Sequence, residues 1–97
     1  MPLFVVLGNW TQKRMEAIKD LPEQVKAGVN VFKSLGIEIK ALVFTMGRYD
    51  MVGICEAPDA ETITKALLSW GSVGLVRTET LRGFTAEETI ELIKGIE

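Results

Sequence analysis

Two periodicities take turns along this chain. Leu3-Phe4-Val5-Val6-Leu7 is a short apolar run of strand type, and Gly8-Asn9-Trp10-Thr11 reads as a junction after it. Thr11 is placed to cap a helix running through Lys19. Asp20-Leu21-Pro22-Glu23 restarts the helix, with Asp20 as cap, Pro22 in the first turn and Glu23 closing a capping box. Val25, Val29, Phe32 and Leu35 follow at helical spacing, and Gly36 closes the segment. Residues 37–44 are rich in β-branched side chains and predict a second strand; residues 51–56 predict a third. Ala57-Pro58-Asp59 opens the next helix, with Pro58 near its first position. Its apolar stripe is Ile63, Ala66, Leu67 and Trp70, and Gly71 ends it. Residues 73–81 predict a fourth strand. Thr85-Ala86-Glu87-Glu88 is a second capping box, leading a last helix that carries Ile90, Ile93 and Ile96.

The order β-α-β-β-α-β with a trailing helix is the ferredoxin-like pattern, an α+β fold with an antiparallel sheet. At 97 residues it is one domain, spanning 1–97. Its two long helices cover one sheet face, so the other can be judged from alternation. In the second strand Ile37, Ile39, Ala41 and Val43 share one side; Glu38, Lys40, Leu42 and Phe44 share the other. In the first strand Leu3, Val5 and Leu7 oppose Phe4 and Val6. Both faces are apolar at the sheet centre, where a solvated face is mostly polar. A second copy packed sheet to sheet, about 10 Å away, covers such a face, and a homodimer is expected. The competing arrangement is a monomer whose last helix folds back over the open face.

Composition narrows the chemistry. Hydrophobic residues are 47 % of the chain, and the mean hydropathy is +0.22, high for one small domain and consistent with apolar surface outside a monomer core. The net charge of −2 argues against nucleic-acid binding, as does the lack of an aromatic-basic strand motif. No apolar run approaches the roughly 18 residues of a membrane span. The first residues lack the basic region of a signal peptide, and one cysteine forms no internal disulfide, so a reduced, cytoplasmic setting is expected. There is no histidine. That removes His-ligated zinc and haem, the Ser-His and Cys-His pairs and the commonest neutral-pH base. No cofactor and no metal site is expected.

The densest chemistry is in Gly47-Arg48-Tyr49-Asp50, between two strands. A turn needs only glycine and one polar residue. Here Arg48 offers a planar fork for a carboxylate, Tyr49 a hydroxyl and Asp50 a base or an orienting partner. The scaffold reading gives Asp50 to turn amides, Tyr49 to packing and Arg48 to an ion pair. Asn9, Trp10 and Thr11 sit where a helix begins, so free N–H groups there suit an anion; capping by Thr11 and packing by Trp10 are the simpler account of them. Cys55 lies inside a strand, where a lone cysteine is ordinarily an inert hydrophobe. Met15, Met46 and Met51 are candidates to line a pocket near the motif. Arg77, Glu79 and Arg82 read as surface or interface charges, with Arg77 and Glu79 on one side. Glu56 and Asp59 flank Pro58, and Asp59 suits a helix start.

Gly47-Arg48-Tyr49-Asp50, followed by a strand and Glu56-Ala57-Pro58-Asp59, resembles the GYD family of small proteins, named for a Gly-x-Tyr-Asp motif. The similarity extends to Asn9, Thr11 and residues 76–81. The resemblance implies a ferredoxin-like fold of the dimeric α/β-barrel type. It implies little about activity: related barrels include monooxygenases, isomerases and haem enzymes, and shared fold does not transfer a reaction.

The expectation is a homodimer, or a higher oligomer, that binds a small ligand near the motif, an anionic one suiting Arg48. Its site residues are Asn9, Trp10, Thr11, Arg48, Tyr49 and Asp50. A cofactor-independent isomerase, lyase or oxygenase using Tyr49 or Asp50 is the enzymatic alternative. A structural or interaction module with no ligand is the third.

Overall fold

The computed structural model describes residues 1–96. Strand β1 (Leu3–Trp10) is followed by a short helix α1 (Gln12–Glu16), a 3-10 turn (Ile18–Asp20) and helix α2 (Leu21–Ser34). Strands β2 (Glu38–Phe44) and β3 (Met51–Glu56), helix α3 (Ala60–Gly71), strand β4 (Val76–Gly83) and helix α4 (Ala86–Lys94) complete the chain. The sheet is antiparallel with order β2-β3-β1-β4. This is the ferredoxin-like arrangement, and β1 at its centre pairs with both β3 and β4.

The core lies between one sheet face and α2 and α3. Phe4, Val6, Met51 and Cys55 from the sheet meet Phe32 of α2 and Ile63 and Ala66 of α3. Trp70 crosses from α3 to stand edge-on to Phe32, with ring centroids 6.0 Å apart. The helical stripes therefore face inward as their spacing predicts.

Several local boundaries differ from the expectation. β1 continues through Asn9 and Trp10 because β4 pairs with it as far as Trp10 opposite Val76. The helix after Thr11 stops at Glu16: Ala17 leaves helical geometry (φ −123°, ψ 41°), and its carbonyl accepts from the Arg14 guanidinium at 2.8 Å. Asp20 makes no side-chain cap. The chain enters α2 from a 3-10 turn, with Asp20 already helical, whereas capping needs an extended residue. At α3 the cap is Asp59, so Pro58 precedes the helix. β4 starts at Val76, since Gly74 turns the chain at φ +80° and the carbonyls of Val73 and Gly74 are taken by Lys13 and Thr11.

The largest revision is in β2. The pairing with β3 shifts between Ile39 and Ala41, a bulge at Lys40. Ile39 lies opposite Cys55, but Leu42 lies opposite Gly53 and Phe44 opposite Met51. Ile39, Leu42 and Phe44 therefore share the helix side, and Ala41 and Val43 move to the open side with Val52 and Ile54. The expected grouping of Val43 with Ile39 is overturned, because an extra residue inverts all later alternation.

Among the described residues no helix covers the open face. Leu3, Val5, Leu7, Ala41, Val43, Val52, Ile54 and Leu81 make it apolar, with Val43 50 % and Leu81 46 % exposed. α4 does not fold back over it: every residue of that helix is exposed. Its capping box is as expected, with Thr85 Oγ accepting from Glu88 N–H at 3.1 Å and the Glu88 carboxylate accepting from Thr85 N–H at 3.0 Å. A compact chain of this length has a radius of gyration of roughly 12–13 Å. The observed 14.9 Å, within extents of 53 × 30 × 18 Å, reflects this projecting arm. Among the described residues no helix is long and apolar enough to cross a membrane.

Candidate functional site

The motif loop joins β2 to β3 at one end of the sheet. Gly47 takes φ +114°, a conformation that a side chain rarely adopts, which gives this glycine a backbone reason to be there. Thr45 closes the loop: its N–H donates to Asp50 O at 2.9 Å and its hydroxyl to Tyr49 O at 2.6 Å. Met46 at the tip is 98 % exposed. Arg48 is exposed, lies 5.8 Å from the centre of the Tyr49 ring and forms no ion pair among the described residues.

Asp50 and Tyr49 are engaged within the chain. Asp50 N–H donates to Gly8 O and its carboxylate accepts from Trp10 N–H, both at 2.9 Å. Tyr49 reaches β4, where its hydroxyl donates to the Glu79 carboxylate at 2.7 Å. That hydrogen bond holds the phenol proton and raises the Tyr49 pKa above its ordinary value. Glu79 lies opposite Leu7 on the open face, so Tyr49, Glu79, Asn9 and Arg77 form a polar end to an apolar surface.

The six expected site residues do not converge. Asn9 faces the open side opposite Arg77, while Trp10 faces the helix side and stacks near Phe44, with centroids 6.0 Å apart. Thr11 caps the five-residue α1, accepting from Arg14 N–H at 3.3 Å, and donates to Gly74 O at 2.7 Å. What the fold brings together is Arg48 with Tyr49, and Asp50 with Trp10.

The other singled-out residues divide similarly. Met15 and Met46 are exposed and only Met51 is buried, so the three methionines line no common pocket. Met51, Cys55, Trp10, Phe44 and Trp70 border an apolar cavity of about 40 Å³ between sheet and helices, which the motif residues do not line. Cys55 is 2 % exposed, and burial pushes its thiol pKa up, as for an inert core cysteine. Arg82 lies on the face opposite Arg77 and Glu79, over the rings of Phe4 and Phe84. Asp59 accepts from Thr62 N–H and its hydroxyl, which hold its carboxyl below the ordinary carboxylate range.

Glu79, read from the sequence as a surface or interface charge, is the partner of Tyr49. Arg14 escaped the sequence reading: it is 2 % exposed beside Met15 at 53 %, a reversal that no periodicity announces.

Fold and surface together define a small ferredoxin-like α+β domain with one uncovered apolar sheet face. The GYD domain profile matches residues 4–93, and the chain belongs to the GYD domain family. It is 33 % identical, over 95 residues, to a Thermus thermophilus protein named glutamine synthetase and cystathionine beta-lyase binding protein. That match covers 97 % of this chain and all of the relative. An ACT domain protein from Streptococcus pneumoniae shares the fold, with a TM-score of 0.53 and 14 % identity over 84 % of this chain and 89 % of that one.

Proposed function

We propose that this chain is a homodimeric interaction module that docks onto a metabolic enzyme. The observation that carries this reading is the open sheet face, apolar from β2 to β4 and covered by no element among the described residues. A four-stranded sheet with strands of this length presents roughly 19 × 26 Å, or about 500 Å². A standard interface takes about 800 Å² from each partner. The exposed α4, with Ile90 and Ile93 on its surface, supplies the remainder as an arm reaching the second copy. A nine-residue helix is marginal in water without a surface to pack on, which favours the same role.

Enzyme docking then falls to the motif loop. Met and Arg are enriched at interface centres, and Met46 and Arg48 stand exposed on a loop whose base is fixed through Tyr49, Glu79 and Asp50. The whole-length relative supports an enzyme of the glutamine synthetase or cystathionine beta-lyase type as partner. The engagement of Asp50 and Tyr49 in hydrogen bonds within the chain favours this over a reaction at the motif.

Light scattering and biolayer interferometry test both halves. The expected mass is twice the 10.7 kDa of one chain. Val43→Glu gives a monomer, while a Met46→Ala, Arg48→Ala double variant keeps the dimer and loses binding to immobilised glutamine synthetase and cystathionine beta-lyase. A monomer at tens of micromolar overturns the assembly. Failure of the wild type to bind either enzyme overturns the docking role.

A further inference from the structure

Arg14 is a buried cation without an ion-pair partner among the described residues. It is 2 % exposed, its Nη1 donates to Ala17 O at 2.8 Å, and its Nε has no partner among those residues. The ion pairs among the described residues involve only Lys40 and Lys94. Buried charges are ordinarily paired, because removing an ion from water is costly. Trp70 Nε1 is also buried with no acceptor. Arg14 and Trp70 line the same cleft, of about 530 Å³, between α2 and the segment joining α3 to β4. That volume is in the range of small-molecule sites.

The cleft is a built structure. Lys13 Nζ donates to Val73 O at 3.1 Å, Thr11 Oγ to Gly74 O and Thr11 N–H to Leu75 O, so its outer wall is tied to α1. Val31 and Leu75 give it apolar sides, and Asp20 and Glu23 are also among its lining. The unmatched groups are donors, and one is a fixed cation. With Nη1 committed to Ala17, the Nε edge of the guanidinium is the one free for a carboxylate, which that edge takes through two parallel hydrogen bonds.

We propose that this cleft binds a small organic monocarboxylate with an apolar body, held by Arg14 and Trp70. The carboxylate sits on the Nε edge of Arg14 and accepts from Trp70 Nε1, and the body lies against Val31 and Leu75. Arg14 Nε and Trp70 Nε1 are both closed to solvent as the chain stands, so slight outward turns of the Arg14 and Trp70 side chains admit the ligand. Asp20 and Glu23 weaken the binding of any anion and oppose a dianion most, so the favourable charge comes from Arg14 alone. The proposal is independent of the docking role above, since neither the sheet face nor the motif loop contributes to the cleft.

The test is a titration of the full-length protein with phenylacetate, followed by NMR at the two indole N–H signals of Trp10 and Trp70, the Trp70 signal being assigned with Trp70→Phe. Phenylacetate is expected to move the Trp70 signal along a saturable curve. The neutral isostere phenylacetamide binds at least tenfold more weakly, and so does phenylacetate to Arg14→Met. Arg14→Met is also expected to melt no lower than the wild type, since it removes an unpaired buried charge. The comparison of phenylacetate with phenylacetamide uses wild-type protein and decides the matter even where the variant fails to fold. An absent or non-saturable shift, equal binding of the amide, or undiminished binding to folded Arg14→Met overturns the site.

Discussion

The Asp50 carboxylate stands in for a strand. Trp10, the last residue of β1, donates its N–H to Asp50 at 2.9 Å across forty positions of sequence. The β1–β3 ladder ends at Gly8 opposite Met51, and the carbonyl of Tyr49 is turned aside to Thr45. The side chain of Asp50 therefore supplies the acceptor that the backbone cannot. Asp50→Ala leaves that amide unpaired and costs about 1.5 kcal/mol, or roughly 6–12 °C in Tm. Asp50→Asn retains an acceptor oxygen and is expected to lose less than half as much. Thermal unfolding at fixed protein concentration checks both.

The only tyrosine of the chain gives a direct reading of the second motif bond. The hydrogen bond to Glu79 raises the Tyr49 pKa, so the folded state holds this proton more tightly than the unfolded state. The resulting stability is present below the unfolded value of about 10 and is lost as pH rises through the higher folded value. Absorbance titration at alkaline pH should place the folded midpoint above 10, and Glu79→Gln should return it toward that value. Stability of Tyr49→Phe should fall less steeply with alkaline pH than that of the wild type.

The bulge at Lys40 makes opposite predictions for adjacent residues. Leu42 packs against the core, so Leu42→Ala is expected to lower stability by about 2 kcal/mol without changing the assembly. Val43 faces away, so Val43→Glu should leave the circular dichroism of the sheet intact and act on oligomeric mass alone. An unregistered strand with regular alternation predicts the reverse, and unfolding with light scattering on both variants separates the two.

Cys55 should behave as packing. The native thiol, 2 % exposed and with its pKa raised by burial, is expected to react with a disulfide reagent many times more slowly than the denatured chain. Cys55→Ala leaves a gap beside the apolar cavity and lowers Tm, whereas Cys55→Val, whose added bulk can extend into that cavity, lowers it less.

Much of the molecule follows from local pattern. The spacing of Phe32 on α2 and of Ile63 and Ala66 on α3, the alternation of Phe4 and Val6, and the Thr85–Glu88 capping box specify helices, strands and their buried sides by themselves. Such signals are written within a few residues, because capping and amphipathicity act over a turn or a strand pair. The apolar second face of the sheet was legible for the same reason. Tertiary pairing decided the rest. Only the register of β2 on β3 shows that Lys40 is extra and that Val43 faces outward. Only β4 lying beside β1 brings Glu79 to Tyr49, and only the turn at Ala17 together with the α2–α3 crossing closes over Arg14. Those contacts join residues tens of positions apart, where the partner of a polar group is set by the path of the chain and no local periodicity encodes it.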